Sequence, residues 1–276
     1  MARENRPPSA SARRALEHAQ EGLEELRRTL GTPPPAFHRR EGAATTELPL
    51  AAPTGELQAL LTARKTTRTF DPARPTTLAE LAVVLRSTFG AHGAAMLADD
   101  LVVVRKSSPS GGGMHPIEAY PLVVRVDGIE PGIYHYDAER HALTCLEQLT
   151  AEAAEALVEV ATAGQSYLRS AHVLVVLTAR FRRSFWRYRG HPKAYAVLLL
   201  DAGHLSQTLL LVCTDLGLGA YVTAAINNAN IDERLRVDPR EEGAILACGL
   251  GRAAAREELQ VEFAPFVPHR EAEPDL

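Results

Sequence analysis

The longest apolar stretch of the chain, AYAVLLLDAGHLSQTLLLVCTDLGLG (residues 194–219), constrains the fold most strongly. It is long enough to cross a bilayer, but four polar residues interrupt it: Asp201, His204, Gln207 and Asp215. Charged groups are costly in hydrocarbon, so the stretch predicts a long helix, from about Pro192 to Leu216, buried inside a globular protein. Asp201 and His204 are three residues apart on this helix and could hydrogen-bond each other across an interface; a satisfied buried pair is favoured over a catalytic role.

Helical and strand patterns are interleaved along the rest of the chain, but hairpin signals interrupt the alternation. This order favours an α+β fold with a mixed or antiparallel sheet flanked by helices over a doubly wound fold. Residues 1–52 differ, because a helix from about Ser11 to Leu30 is followed by a proline-rich arm. We therefore predict two parts, residues 1–52 and residues 53–276. Further elements are predicted as helices at 55–63, 77–90 and 151–163, as strands at 101–105, 172–181 and 244–251, and as a hairpin at 133–147.

Composition narrows the classes of partner. The net charge of −4 gives no electrostatic reason to expect nucleic acid or an anionic membrane. Cys145, Cys213 and Cys248 are far apart and lack metal-ligand spacing, so we expect buried free thiols and no metal site. The first residues contain no apolar segment of the secretory kind, and a cytoplasmic protein is expected.

Two segments carry groups suited to a phosphorylated, flat ligand. ARKTTRTF places Arg64, Lys65, Thr66 and Arg68 within five residues, and guanidinium, ammonium and hydroxyl donors bind phosphate well. A solvated basic turn is the alternative interpretation. SSPSGGGMHP (residues 107–116) contains three successive glycines that permit positive φ and close backbone approach to a ligand, although a flexible loop has the same composition.

Two later segments add candidates. SFWRYRGHPKAY (residues 184–195) is dense in stacking and proton-transfer groups, among which Tyr188 and Lys193 are candidate general bases. An aromatic cluster packed on the start of the long helix is the alternative. CGLGR ends in Gly251 and Arg252, a possible second phosphate anchor; its GxG lacks the third glycine and the opening helix of a dinucleotide fingerprint.

Four of the motifs occur in an order that resembles a known family. RKTTRTF, PSGGGMHPIEAY, PGIYHYDAERHALTCL and LDAGHLSQTLLLVCTDLGLG are similar, in turn, to segments of the nitroreductase superfamily and of its SagB-type dehydrogenases, which oxidise ring-modified peptides. The resemblance covers roughly residues 60–252. It implies a nitroreductase-like fold and an intertwined homodimer with a long interface helix.

The resemblance also implies FMN at the subunit interface. Residues 64–66 and Arg68 would contact its phosphate, ribityl chain and pyrimidine edge, and Arg252 (or Arg270) would complete the phosphate site. The resemblance implies further FMN contacts in three places: at the glycine run of the opposite subunit, at the backbone near flavin N5, and beside Arg252. The residues are Pro109, Ser110, Gly111, Gly112, Thr223, Ala224 and Gly251.

The expected activity is FMN-dependent dehydrogenation of a ribosomally synthesised peptide, with hydride transfer to flavin N5 and reoxidation by oxygen. Azoline-oxidising members carry a Lys–Tyr pair where this chain has Arg187–Tyr188, and arginine does not readily deprotonate. Either Tyr188 acts alone, or Lys193 substitutes, or the substrate is not an azoline. The alternatives are an NAD(P)H-dependent nitro or quinone reductase, and a non-catalytic flavin- or peptide-binding partner in a modification complex.

Overall fold

The computed structural model describes residues 21–37, 45–49, 54–99 and 101–255. The chain divides into two compact units, one formed by residues 1–54 and 258–276 and the other by residues 55–257. In the first unit, residues 21–30 form helix α1, which agrees with the helical pattern there; the predicted start of that helix at Ser11 lies outside the described residues.

The second unit is built on a six-stranded sheet with the strand order β7-β6-β4-β8-β10-β9, in which every neighbouring pair is antiparallel. Two small sheets lie beside it: an antiparallel pair, β2 and β3, and a parallel pair, β1 and β5. The strands are β1 (Thr76–Thr77), β2 (Gly93–Ala98), β3 (Leu101–Arg105), β4 (Ile117–Val123), β5 (Val126–Asp127), β6 (Gly132–Asp137), β7 (Ala142–Gln148), β8 (Val173–Arg180), β9 (Gly219–Thr223) and β10 (Glu242–Gly251).

The described helices of this unit begin and end close to the predicted positions where local capping groups are present. Thr77 and Glu80 form a reciprocal capping box at the start of α3, and Gly90 follows its last turn. The Thr150 hydroxyl accepts a hydrogen bond from the Ala153 backbone N–H and so caps α4. The helices are α2 (Glu56–Ala63), α3 (Leu78–Phe89), α4 (Ala151–Ala161), α5 (Phe181–Tyr188), α6 (Ala194–Asp215) and α7 (Asn228–Leu235).

Apolar side chains cover both faces of the main sheet. On one face α3 and α6 pack against the strands through residues such as Leu85 and Leu209. On the other face α4 and α7 pack through residues such as Val158 and Ile231. Each face therefore has its own buried core, as expected for a sheet with helices on both sides.

Helix α6 is the predicted long apolar helix, and it packs on the sheet along one side. By length and composition it is the described helix that could cross a membrane, and 44% of its most apolar window is buried in the protein. Its other side leaves Leu199 and Leu200 each 60% exposed. The interior half of the helix therefore belongs to the core, while its outer half is an apolar surface.

The thiol prediction was wrong at one position. Cys213 and Cys248 are buried, but Cys145 is exposed. Cys145 lies on β7, an edge strand of the main sheet, whose residues are mostly exposed. All three thiols are free, and burial raises the pKa of Cys248 to about 12.

Candidate functional site

The segment of residues 64–68, which we call the cation segment, runs beside the edge strand β9. Thr66 forms a parallel bridge with Ala220, and the Thr67 backbone N–H donates to the Ala220 carbonyl at 2.9 Å. The approach is close because Gly219 has no side chain: a Cβ there would lie 2.5 Å from the Thr67 Cγ2 atom. Thr67 is itself buried, and this anchoring role was not apparent from the sequence.

The end of β10 meets the same segment. The Asp71 backbone N–H donates to the Arg252 carbonyl at 2.9 Å, and the Ala254 N–H donates to the Thr69 carbonyl at 3.0 Å. Gly251 pairs with Gly219 across the two strands. Three stretches that are far apart in the sequence thus meet at one edge of the sheet.

The three cations of this segment have no ion-pair partner in the part of the chain that the structure describes. Arg64 and Arg68 are partly exposed and Lys65 is exposed. Within the described residues none of the three forms an ion pair. Arg252, in contrast, is paired with the Glu80 carboxylate. The side chains best placed to receive an external anion are therefore those of the cation segment, and Arg252 would have to share its charge.

A buried histidine supports the chain just after the cation segment. His172 is fully buried, with Nε2 3.0 Å from the Asp71 carbonyl oxygen and Nδ1 3.1 Å from the Thr76 hydroxyl. A neutral ring satisfies both bonds, with Nε2 donating and Nδ1 accepting. Burial lowers the pKa of His172 to about 4. Gly251 packs on this ring, since a Cβ at Gly251 would lie 2.8 Å from the His172 Cγ atom.

Thr223 and Ala224 lie where β9 ends, beyond the point at which β9 contacts the cation segment. The Thr223 hydroxyl accepts hydrogen bonds from the Gln165 side chain at 3.3 Å and from the Ala225 N–H at 3.2 Å. Ala224 is exposed. Thr223 and Ala224 therefore lie at the end of the strand that the cation segment contacts, and Ala224 is open to solvent.

The second predicted segment, which we call the glycine loop (residues 109–113), is held by α6. The Asp201 carboxylate is buried and accepts hydrogen bonds from the Ser110 hydroxyl at 2.5 Å and from the Gly111 N–H at 3.1 Å. His204 Nδ1 lies 3.2 Å from the Pro109 carbonyl oxygen. Asp201 and His204 thus each bind the loop; within the described chain His204 is exposed and the two are not bonded to each other, and a bond between them across an interface stays a prediction.

The tip of this loop favours glycine. Gly112 and Gly113 have φ angles of +59° and +67°, a region that side chains disfavour. A Cβ at Gly112 would lie 3.0 Å from the Tyr188 hydroxyl and 3.2 Å from the Arg187 Cγ atom. One of the two base candidates, Tyr188, therefore lies directly against the glycine loop.

The other base candidate, Lys193, is exposed at the start of α6, where its backbone N–H donates to His191 Nδ1 at 3.1 Å. Arg183 on α5 binds the chain beyond the glycine loop, donating to the Met114 carbonyl at 2.5 Å. Helix α5 thus contacts the glycine loop through Tyr188 and the residue that follows the loop through Arg183.

A small cleft beneath the glycine loop contains titratable groups that sequence reasoning did not single out. Burial lowers the pKa of Lys106, partly opposed by the nearby Glu118 carboxylate, and burial also lowers the pKa of His115. Half-buried basic groups of this kind would have been found only from the packing around them. The cleft is lined by Lys106, Ser108, Pro109, Ser110, His115, Ile117, Asp201 and Leu205.

The candidates therefore fall into two groups. The first joins the cation segment to the ends of β9 and β10, and the second joins the glycine loop to α5 and α6. Among the residues that the structure describes, no hydrogen bond or ion pair connects residues 64–68 with residues 109–113.

Comparison with known proteins identifies the fold. A chain of the Escherichia coli microcin synthetase McbBCD complex with truncated pro-MccB17 bound superposes with a TM-score of 0.64 and 18% identity, over 84% of this chain and 82% of that chain. A model of the nitroreductase family matches residues 61–252. The chain belongs to the nitroreductase family.

Two proteins with similar sequences carry names that describe different activities. Trifolitoxin-processing protein TfxB of Rhizobium leguminosarum bv. trifolii is 35% identical over 146 residues, which are 52% of this chain and 39% of that protein. MJ1384 of Methanocaldococcus jannaschii, named as a nitroreductase, is 29% identical over 199 residues, 71% of this chain and 91% of that protein. The chain spans well under half the length of its peptide-processing relative.

Proposed function

We propose that the protein is an FMN-dependent dehydrogenase or oxidase that acts on a ribosomally synthesised peptide. The observation that carries this proposal is the cation segment, folded against β9 and the end of β10 with its three cations unpaired in the described chain. Guanidinium and ammonium donors of this kind bind a dianionic phosphate through charge-assisted hydrogen bonds. Similarity to a protein that processes trifolitoxin supports a peptide as the substrate.

The donor set fits FMN. Arg64, Lys65, Thr66 and Arg68 would hold the phosphate and the polar edge of the ligand, while the exposed backbone at Ala224 leaves room for a flat ring. When bound, FMN would supply the redox chemistry by accepting a hydride from the substrate. The contribution of the chain itself is to bind, to orient and to exclude water.

A second copy of the chain would complete the site. The glycine loop shares no hydrogen bond or ion pair with the cation segment within the described residues, so we propose that each FMN lies between the cation segment of one subunit and the glycine loop of the other. The outer side of α6 supports such a homodimer, since Leu199 and Leu200 are each 60% exposed. Sedimentation of the purified protein would test this.

Tyr188 is the base candidate that the geometry favours, because its hydroxyl lies against Gly111 and Gly112. In this role the hydroxyl would take a proton from the substrate. Lys193, five residues further along, is exposed and remains the alternative. Tyr188→Phe should lower kcat for the peptide by about 100-fold or more while flavin is retained, whereas Lys193→Met should leave kcat at saturating peptide nearly unchanged. The reverse pattern would assign the base to Lys193.

The absorbance spectrum of the purified protein is the first experiment, because bound flavin has bands in the blue and near-ultraviolet regions. Colourless protein that still binds a precursor peptide would support the third possibility, a non-catalytic partner in a modification complex.

The alternative function is an NAD(P)H-dependent nitro or quinone reductase, which the similarity to MJ1384 favours. Anaerobic mixing separates the two activities. If the protein is a peptide oxidase, a peptide substrate should bleach the flavin and NADH should not. Rapid bleaching by NADH or NADPH would favour the reductase.

A further inference from the structure

Helix α5 and the connection that leads from it to α6 form the most basic short stretch of the chain. Residues 180–193 contain five arginines, one lysine and no acidic residue, in a protein whose net charge is −4. The net charge of the chain is negative, so this concentration of positive charge is a local feature. The partners of each cation in the folded protein show which of them are free.

Half of these cations are already used inside the protein. Arg180 pairs with Glu118 at 3.3 Å, Arg182 lies 3.5 Å from Glu241, and Arg183 binds a backbone carbonyl. Arg187, Arg189 and Lys193 are exposed and have no carboxylate partner anywhere in the described chain. The last three cations therefore remain available to a partner.

Two aromatic side chains accompany the free cations. Trp186 is 56% exposed and Tyr195 is 64% exposed. Tyr195 packs edge-on against Phe185, with ring centroids 4.9 Å apart, so it is held in place although it is open to solvent. We call residues 186–195 the basic corner. Exposed aromatic residues and arginines together are the groups most enriched at protein interfaces.

We propose that the basic corner is the docking site for an acidic segment of a peptide. Charge complementarity carries the proposal, since three unpaired cations would meet carboxylates while Trp186 and Tyr195 cover apolar side chains between them. The corner adjoins the glycine loop, because Arg187 and Tyr188 contact Gly112. This inference rests on the proposed function in one respect, which is that the substrate is a peptide; it adds that acidic residues flank the reacting residue.

A nucleic acid is the less suitable partner. A nucleic-acid site needs a broad basic surface that neutralises many phosphates, whereas here three free cations lie in one short segment of an acidic protein, at the end of α5 and just after it. A peptide with a few carboxylates matches that charge and that length.

The test uses the full-length protein with its flavin, and Trp186, the single tryptophan of the chain, as the reporter. A synthetic peptide of alternating glutamate and apolar residues is titrated while tryptophan emission is followed, with calorimetry as an independent readout. The same peptide with glutamine in place of glutamate is the ligand control. The glutamate peptide should bind at least about tenfold more tightly, and the difference should shrink as salt is raised.

Arg189→Glu should weaken binding of the glutamate peptide by about fivefold or more, and Arg189→Gln by less, because an exposed ion pair contributes up to about 1 kcal/mol. Arg140→Glu, at a side chain that is 81% exposed in the β6–β7 turn, is the matched control and should bind normally. Equal binding of the two peptides, an unchanged affinity in Arg189→Glu, or tighter binding of a single-stranded oligonucleotide would each overturn the proposal.

The result is separable from the proposed function, because binding is measured without turnover and flavin content is read from the same samples. Loss of the docking effect in a yellow protein that oxidises peptides would contradict only the docking site. Tight binding by a protein without flavin would contradict only the oxidase.

Discussion

The cation segment and the glycine loop are both candidate ligand contacts, but they differ in how they are held. The cation segment is fixed through its backbone to Ala220, while its charged side chains have no internal partner within the described chain. The glycine loop is fixed through side chains of α6, above all by the buried Asp201 carboxylate. The cation segment therefore leaves its charged groups open to an external anion, whereas the glycine loop is held in place by buried side-chain contacts.

This difference has an energetic consequence. A side chain without an internal partner contributes little to folding, so it can be removed at the expense of ligand affinity alone. A buried carboxylate that satisfies two donors contributes to folding, and its loss leaves those donors unpaired. The two segments should therefore respond in opposite ways to mutation.

The largest effect is expected at the cation segment. The double change Arg64→Ala and Arg68→Ala should weaken FMN binding by about 100- to 10,000-fold, because each arginine supplies charge-assisted bonds of about 1.5–3 kcal/mol. Flavin fluorescence titration measures this loss, and denaturant unfolding of the apoprotein should be unchanged. The control is Arg140→Ala with Arg240→Ala, two highly exposed arginines in turns. Full flavin occupancy in the double variant would contradict the phosphate assignment.

The opposite response is expected at the glycine loop. Asp201→Ala should lower the free energy of unfolding by about 3–4 kcal/mol, because it leaves the Ser110 hydroxyl and the Gly111 N–H without their acceptor. Asp201→Asn keeps one acceptor oxygen and should cost less. Urea denaturation of the apoprotein measures both. If the midpoint of Asp201→Ala matches that of the native protein, the loop is not held in the way described.

Acid should lower the free energy of unfolding through His172, which supports the chain just after the cation segment. His172 has a pKa near 4 in the folded chain and near its ordinary 6.5 when unfolded, so the unfolded chain takes up the proton first as the pH falls. Its contribution is complete above pH 6.5 and is lost towards pH 4, by about 3 kcal/mol in all. Unfolding free energies measured at several pH values should fall less steeply in His172→Gln. An equal slope would exclude this histidine as the cause.

The smallest effect is expected at Thr66. Thr66→Val keeps the β-branched shape that suits the bridge to Ala220 and removes one hydroxyl. FMN affinity should fall by about two- to tenfold, the value of one neutral hydrogen bond, with no change in the unfolding free energy. A titration of the apoprotein with FMN measures the change. A loss as large as that of the arginine variant would mean that the hydroxyl, rather than the charge, dominates binding.

Sequence reasoning succeeded where the cause is local. The start of α3 follows from the Thr77 capping box, and its end from Gly90, both of which act within one helical turn. The β6–β7 hairpin and the long helix α6 follow from residue patterns in the same way. The short elements β9, α5 and α7 were not predicted, because a five-residue strand such as GAYVT is a strand only through its pairing with β10.

The site shows the same division. Arg64, Lys65, Thr66 and Arg68 could be named as phosphate donors because residue chemistry and a family motif suffice for that. That Thr67 and Gly219 interlock could not be named, since the two residues are far apart in the chain. Asp201 and His204 could be named as a pair because they are three residues apart on one helix, but only the structure shows that, within the chain, each of them has a partner in the glycine loop.

By itself, the sequence determined the α+β class, the long apolar helix, the set of residues proposed to bind phosphate and the family that they resemble. These properties depend on side-chain chemistry and on contacts within a few residues. Tertiary structure alone decided that residues 64–71 lie against β9 and β10, that Asp201 holds the glycine loop, and that Cys145 is open to solvent. Those outcomes depend on strand order and on packing between distant segments, which no local pattern encodes.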